Sequence, residues 1–229
     1  MQQTSELYRS LLRDYGSRKE TRVEIQGQFY GENAIVSLST RADLFAEDTM
    51  SVGGAVAKEL ELVLYHPGDI PRMARIVPSF RLVKGAQVSE WIQKGVFYVD
   101  TRTVDEASGT VTIHGYDDML KAEQVWTPNQ SLSFPMTMRA ASQEIARLMG
   151  VSIDPRTQFN DSYLVDYPAN DYTLRDVLRF IAAAHGANWI MTDTGLLRMV
   201  AFSDIPPETH YLVTQHGDAI TFGGVRILV

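Results

Sequence analysis

Five histidines are the residues of this sequence best suited to metal binding or acid–base catalysis. They are His66, His114, His185, His210 and His216. His210 and His216 flank a predicted turn, and no His-Glu-x-x-His motif occurs, so the spacing predicts no metal site. His185 ends an apolar helical pattern, where we expect it to cap the last carbonyls. His114 precedes a glycine, and we expect a partly buried imidazole with a hydrogen-bond partner.

Neighbouring carboxylates could indicate glycoside hydrolysis, which needs two acids roughly 5 to 10 Å apart in a cleft. Glu59 and Glu61 share one face of a predicted strand, but their alternation with leucines is typical of a solvated outer face. Asp117 and Asp118 precede a short helical segment, where free N–H groups favour negative charge. We therefore interpret all four carboxylates as structural.

Other catalytic patterns are missing from the sequence. It has no cysteine, no Gly-x-Ser-x-Gly motif and no glycine-rich phosphate loop after a strand. We interpret the Gly-Gly pairs at 53–54 and 223–224 as backbone devices. The sequence therefore predicts a protein that is not an enzyme, with no catalytic residue, no metal and no cofactor.

Composition excludes several classes of partner. The net charge of −7 and pI near 5.2 argue against a surface that grips phosphate backbones. No run approaches the roughly 18 to 20 apolar residues that span a bilayer, and no signal peptide is evident. We expect a folded protein, made in a cytoplasm, with no direct grip on nucleic acid and no stable membrane insertion.

The first half of the chain alternates in hydrophobicity every two residues, as β-strands do. Predicted strands cover residues 21–26, 34–39, 55–65, 72–83, 95–103 and 110–113. The last two form a hairpin around turn formers at 105–109. Pro78 lacks the N–H of a central ladder position, so we expect an edge or a bulge there. Together these strands predict an antiparallel β-barrel or sandwich.

Helical spacing dominates the second half. Thr137 and Gly150 are the predicted ends of one helix, and Thr173, with Asp176 in a capping box, and Gly186 are those of another. A hairpin of residues 187–192 and 196–202 follows them. The fold class is thus α+β and β-rich, a barrel or sandwich with an inserted small unit of two helices and a hairpin.

The chain divides into four predicted parts. These are an N-terminal amphipathic helix arm at 1–19, the barrel at 20–126, the inserted α+β unit at 127–207, and return strands at 208–229. We expect the arm to dock either on its own domain or on a neighbouring subunit. The strands at 211–214 and 219–229 are too apolar to stand alone, so they complete the barrel or start a second one.

Two stretches carry a resemblance to a known family. The first is 70–124, with Ile-Pro-Arg-Met-Ala-Arg-Ile at its start, and the second is Tyr-Thr-Leu-Arg-Asp-Val-Leu-Arg-Phe-Ile-Ala-Ala-Ala-His-Gly-Ala-Asn-Trp at 172–189. They resemble the N-terminal hub region of baseplate hub and tail-associated lysozyme proteins of bacteriophages and prophages. The similarity covers most of residues 20–229. It implies the same barrel with an inserted unit.

The resemblance also implies a function and partners. The chain is expected to form a structural ring at the tail tip that continues the tail tube, as a homotrimer, with a hexamer as the alternative. Expected neighbours are tail tube, distal tail and tape-measure proteins, with DNA only as passing cargo repelled by a negative lumen. The expected location is the virion tail, after assembly in the host bacterial cytoplasm.

Two other functions stay open at this point. One is a peptidoglycan-degrading tail enzyme, although in the resembled family cleavage belongs to a C-terminal domain that we do not expect here. The other is a carbohydrate- or receptor-binding tip module. Its stacking residues would be Trp91, Tyr98, Tyr163 and Tyr167.

Overall fold

The protein folds around two sheets, each with its own apolar core. The computed structural model describes residues 4–45, 49–65, 67–129, 132–168, 171–202, 221–222 and 225–226. Within them, no helix is both long and apolar enough to cross a lipid bilayer.

The first sheet is antiparallel throughout. Its strands are β1 (Arg18–Ile25), β2 (Gln28–Gly31), β3 (Ile35–Arg41), β5 (Glu59–Tyr65), β6 (Arg75–Lys84), β7 (Gln87–Val88), β8 (Ile92–Gln93), β9 (Phe97–Asp105) and β10 (Thr110–Asp117). The main path runs β2-β1-β6-β9-β10-β5-β3, and β7 and β8 pair with β6. The predicted β9–β10 hairpin is confirmed.

A closed barrel is not found among the described strands, because no pairing joins β2 to β3 at the two ends of the path. The sheet is nevertheless curled. Residues of β1, β3 and β6, among them Thr21, Leu38 and Pro78, line one cavity of about 80 Å³. The sequence predicted a β-rich antiparallel sheet correctly, and the structure shows it open and curled.

Pro78 does not lie on an edge strand, because β6 has partners on both sides. Toward β9 the pairing covers Arg75 and Ile76, and toward β8 it resumes at Ser79. The Pro78 carbonyl accepts from the Lys94 N–H on this same side, at 2.9 Å. A residue's N–H and C=O point to the same side of a strand, so the missing N–H falls in the gap between the two partners.

The predicted strand at 55–65 is two strands in two sheets, so that prediction was wrong. β4 (Ala55–Val56) pairs in parallel in the second sheet, whereas β5 belongs to the first. Between them, the Lys58 N–H donates to the side chain of Asp117, at 2.9 Å from its Oδ2. In β5 the predicted alternation is confirmed, since its three leucines are fully buried and both glutamates are exposed.

The second sheet is built from β4, β12 (Ser152–Ile153), β14 (Ala187–Met191) and β15 (Leu196–Ala201). Its strand order is β12-β15-β14-β4. β11 (Met136–Thr137) and β13 (Leu164–Val165) form a separate two-stranded pair. The predicted hairpin is the antiparallel pair β14 and β15. Trp126 and Trp189 are fully buried in the core on this sheet.

Both predicted helices cover this sheet, with the predicted caps. α2 (Met138–Met149) begins after Thr137, whose side chain accepts from the Ala140 N–H, and ends at a left-handed Gly150. α3 (Leu174–Ala184) begins with the capping box of Thr173 and Asp176. Their apolar faces supply nine of the nineteen buried residues of the second core.

The N-terminal helix α1 (Glu6–Leu12) docks on its own chain. Tyr8 and Leu11 are buried against Leu82 and Ile92 of the first sheet. Ser5 caps the helix and donates from its N–H and hydroxyl to Glu90, at 2.6 and 2.5 Å. Of the two docking sites expected for the arm, the structure shows the one on its own domain.

The end of the chain is described in part. β16 (Thr221–Phe222) and β17 (Val225–Arg226) pair with each other as a separate small sheet. The predicted strand at 211–214 and the Gly-Gly pair at 223–224 lie outside the described residues. The return of this segment to the first sheet therefore stays a prediction.

Candidate functional site

The structure does not bring the candidate histidines together. His66, His210 and His216 lie outside the described residues. His185 ends α3 as expected: its Nδ1 lies 2.8 Å from the Ile181 carbonyl, and its Nε2 accepts from the Asn160 N–H at 3.1 Å. Such a pattern fits a neutral ring with its proton on Nδ1.

His114 differs from the expectation of a partly buried ring. It is exposed on β10, where the register against β9 shifts between His114 and Gly115. The shift skips Asp100 on β9, which is a β-bulge. A Cβ at Gly115 would lie 2.7 Å from the Tyr98 carbonyl oxygen, so glycine is required at this close approach.

Asp117 and Asp118 begin a short 3₁₀ helix (Asp118–Glu123), as the sequence predicts. Asp117 Oδ1 accepts from the Met119 N–H at 3.0 Å and its Oδ2 from Lys58. Burial raises the pKa of Asp117 to about 6, and the hydrogen bonds from Lys58 and Met119 offset only part of that effect. Asp118 forms an ion pair with Lys121 at 2.6 Å. Both carboxylates thus make their contacts with groups of the same chain.

The four aromatic residues considered for carbohydrate stacking lie in separate settings. The Lys121 ammonium lies over the Tyr98 ring and also donates to its hydroxyl. Tyr163 packs edge-on against His185, with ring centroids 5.1 Å apart, and Tyr167 is exposed. In the described residues these rings form no common platform, and no group of three or more His, Asp or Glu side chains is placed to hold a metal ion.

Trp91 instead lies in a cation–π cluster on the outer face of the first sheet. The Arg22 guanidinium is 4.1 Å from the Trp91 ring centroid and 4.7 Å from that of Phe29. The Arg81 guanidinium is 4.6 Å from the same Trp91 ring. We call these four residues the Arg22 surface. They line or adjoin an open cavity of about 510 Å³ that extends over β1 and β2.

The register of β1 explains why a cavity forms beside Arg22. Its cross-strand neighbours are Gly31 on β2 and Ser79 on β6, both small. A Cβ built on Gly31 meets no atom within 4 Å. The small residue Gly31 therefore leaves a depression in the sheet surface, and the larger rings of Phe29 and Trp91 form its sides.

The carboxylates around this surface bind other cations. Glu20 pairs with Arg81 at 2.8 Å and with Arg18, and Glu32 pairs with Arg18 at 3.0 Å. Among the described residues, no ion pair or hydrogen bond reaches the guanidinium of Arg22. Arg22 is thus a cation held by aromatic rings alone.

Sequence reasoning missed the Arg22 surface. The alternation of Arg18, Glu20, Arg22 and Glu24 in β1 is a signal for an exposed strand face, and it was there to be found. The position of Trp91 carries no such signal. Trp91 lies in the segment before β8. This segment comes close to β1 because β1 and β8 both pair with β6.

Comparison with known proteins gives the fold a context. The sequence matched no protein-family model and no curated protein. A 43 kDa tail protein of prophage MuSo2 from Shewanella oneidensis has a similar structure, with a TM-score of 0.54, 15% sequence identity, and a match over 85% of this chain and 59% of that one. The chain has a phage tail protein fold. A tail protein from Neisseria meningitidis MC58 matches with a TM-score of 0.55 and 14% identity, over 82% of this chain and 53% of that one.

The present chain therefore spans little more than half the length of these two tail proteins. At this level of identity the similarity describes the backbone arrangement and not the surface residues. The similarity therefore carries no argument about the Arg22 surface.

Proposed function

We propose that this protein is a structural component of a phage or phage-like tail, located at the tail tip or baseplate. There it forms a hub ring that continues the tail tube and docks neighbouring tail proteins. The observation that carries the proposal is the fold shared with two tail proteins over more than four fifths of the chain. It acts through its contacts and performs no chemical step.

Features of the first sheet fit a protein that assembles. β6 pairs with β9 only through Arg75 and Ile76, so in the described residues the outer edge of β9 has no strand partner along 101–105. All five of these residues are exposed. An unpaired strand edge is a ready site for a strand from another subunit.

The second unit adds exposed aromatic residues. Tyr172 and Phe180 pack edge-on with centroids 5.2 Å apart, yet about half of each side chain is exposed. Tyr167 is 81% exposed. Aromatic side chains in such positions are enriched at protein interfaces. These two surfaces are candidates for contact with another copy and with tail tube, distal tail or tape-measure proteins.

The decisive experiment counts copies in assembled tails. Particles carrying this gene would be purified, and their tails separated and analysed by quantitative mass spectrometry against isotope-labelled peptides of the chain. We expect a fixed number of copies per tail, three for a trimer or six for a hexamer. Absence from the tail fraction would overturn the proposal.

A second measurement addresses the enzymatic alternative. The purified chain is tested for clearing of peptidoglycan in a zymogram, with a known muralytic enzyme as positive control. We expect no clearing. Clearing that persists after further purification would show a hydrolytic function in place of a purely structural one.

A further inference from the structure

We infer that the Arg22 surface is a docking site for an acidic segment of a partner polypeptide, which places an Asp or Glu carboxylate on the Arg22 guanidinium. The inference is independent of the proposed place in a tail, because the site lies within one chain. It rests on the geometry of four side chains and the cavity beside them.

The first step is the unsatisfied chemistry of Arg22. A guanidinium has five N–H donors in a planar fork that matches a carboxylate. Within the described part of the chain, the contacts of the Arg22 guanidinium are with the rings of Trp91 and Phe29, and no carboxylate or carbonyl accepts from its N–H groups. The carboxylates of Glu20 and Glu32 are held by Arg81 and Arg18. The N–H fork is thus available for an external acceptor.

The second step is that this cation is held in place. Two aromatic rings pack against the Arg22 guanidinium, so less side-chain entropy is lost when a carboxylate binds than for a freely moving arginine. The cavity of about 510 Å³ offers room for a side chain above Gly31. Bound partners frequently rely on Trp and Arg residues in such settings.

The third step selects a polypeptide over a sugar. Stacking of a sugar needs a free aromatic face, but two guanidinium groups already lie over Trp91. Phe29, by contrast, is 58% exposed beside Arg22, which suits the aliphatic part of an Asp or Glu residue and its neighbours. A carboxylate with a short apolar stem therefore fits both groups.

The test measures binding of capped hexaglutamate by tryptophan fluorescence. Trp91 is the reporter, because Trp126 and Trp189 are fully buried. We expect saturable binding with a Kd of about 1 mM or below, no binding of capped hexaglutamine, and weaker binding as salt rises. A wild-type protein that gives no saturable response to hexaglutamate would overturn the inference.

Variants locate the site. Arg22→Gln should weaken binding about tenfold or more, and Arg22→Lys should fall between it and the wild type, because lysine keeps the charge but loses the fork. Arg102→Gln removes the same charge from β9, where Arg102 pairs with Asp69, and should bind as the wild type does. Equal binding by Arg22→Gln and the wild type would refute the assignment.

A second pair of variants leaves Arg22 untouched. Gly31→Phe places a ring inside the cavity and should abolish binding. In Gly31→Ala the added Cβ has no atom within 4 Å, so binding should be preserved. Glucuronate and inorganic phosphate are tested as competitors at equal concentration. If either binds more tightly than hexaglutamate, the occupant is a sugar acid or a phosphate and the polypeptide assignment is wrong.

Discussion

Burial and hydrogen bonding act in opposite directions on the Asp117 carboxyl. The residue is 1% exposed, which disfavours its charge, while the N–H groups of Lys58 and Met119 donate to its two oxygens. Burial is the larger effect and raises the pKa from 3.8 to about 6. Between these two values the folded protein binds a proton that the unfolded chain releases.

The stability of the protein should therefore contain a component that falls with rising pH. It is fully present below pH 3.8 and is lost as pH rises through about 6. The loss amounts to about 3 kcal/mol. In Asp117→Asn, the single amide oxygen can accept from only one of the two N–H groups, but the side chain cannot ionise, so this decline should disappear. Urea unfolding at a series of pH values from about 4 to 7 measures the difference.

Asp154→Asn is the control for this prediction. In the wild type, the side-chain hydrogen bond with Arg156 holds the pKa of Asp154 at about 2. The contribution of Asp154 to stability is therefore lost only as pH falls through the acid range below about 4. The Asp154 variant should keep the wild-type slope between about pH 4 and 7. An unchanged slope in Asp117→Asn would contradict the assignment of the decline to Asp117.

The crossing of the chain into β4 depends on backbone that only glycine adopts easily. Gly53 has φ of +84°, and a Cβ there would lie 2.9 Å from the Ala183 Cβ on α3. Gly27 has nearly the same φ, +85°, with nothing near its Cβ position. Gly27→Ala should cost about 1 kcal/mol for the backbone alone. Gly53→Ala should cost at least about 1 kcal/mol more from the contact with α3, and equal losses in thermal unfolding would contradict this packing.

The Asn188 side chain binds the segment that leads into β4 to the second sheet. It is fully buried, accepts from the Gly54 N–H at 2.7 Å, and donates to the carbonyls of Leu44 and Ser51, both at 2.9 Å. Asn188→Leu keeps the branched heavy-atom skeleton but leaves these backbone groups unpaired, so we expect a loss of about 3 kcal/mol.

Hydrogen exchange of the Gly54 amide measures this effect directly and should accelerate in Asn188→Leu. Asn160→Leu is the matched control, since in the described residues the Asn160 side chain bonds to Ser162 within an exposed turn. Its cost should be a fraction of that at Asn188. Unchanged Gly54 exchange in Asn188→Leu would refute the role of this side chain.

Elements whose signals are local were predictable from the sequence. The ends of α3 follow from Thr173 and Asp176 at its start and Gly186 at its end, each within one turn of the end that it marks. The transfer of Ala55 and Val56 to the second sheet was not predictable, because their partners Trp189 and Ile190 are distant in sequence. Periodicity records which face of a strand is buried, and not which strand lies beside it.

The same limit applies to the candidate site. Residues that bind metals or catalyse acid–base reactions often occur at characteristic sequence spacings, and the histidines and carboxylates of this sequence do not show them. A surface assembled from β1, β2, β6 and the segment before β8 has no such rule. Arg22 and Trp91 become neighbours only through the order of strands in the curled sheet.

At the scale of the whole molecule, the two cores are tied together. The chain passes from the first sheet to β4, returns through Lys58, and crosses again after Asp117. The Lys58 ammonium contacts Asp193 of the second unit at 2.5 Å, and Gln93 donates to the Asp193 carbonyl at 2.6 Å. Loss of the second core would thus free β4 and remove these contacts from the first sheet.

Both units should therefore unfold in one transition. In a Trp91→Phe variant, fluorescence along a urea series reports only the buried tryptophans of the second core, whereas hydrogen exchange of the β5 and β10 amides along the same series reports the first sheet. We expect the two curves to coincide. Ile145→Ala, at a fully buried position of α2, should cost about 2 to 5 kcal/mol and shift both curves equally.

Val104→Ala provides the control, because Val104 lies exposed on β9 and its truncation should shift neither curve measurably. If Ile145→Ala moved the fluorescence transition and left the hydrogen-exchange transition of β5 and β10 in place, the two units would be independent. The Lys58, Asp117 and Asp193 contacts would then be surface contacts between separate domains. A common shift indicates instead that a mutation that destabilises one unit also destabilises the other, because these contacts and β4 join them.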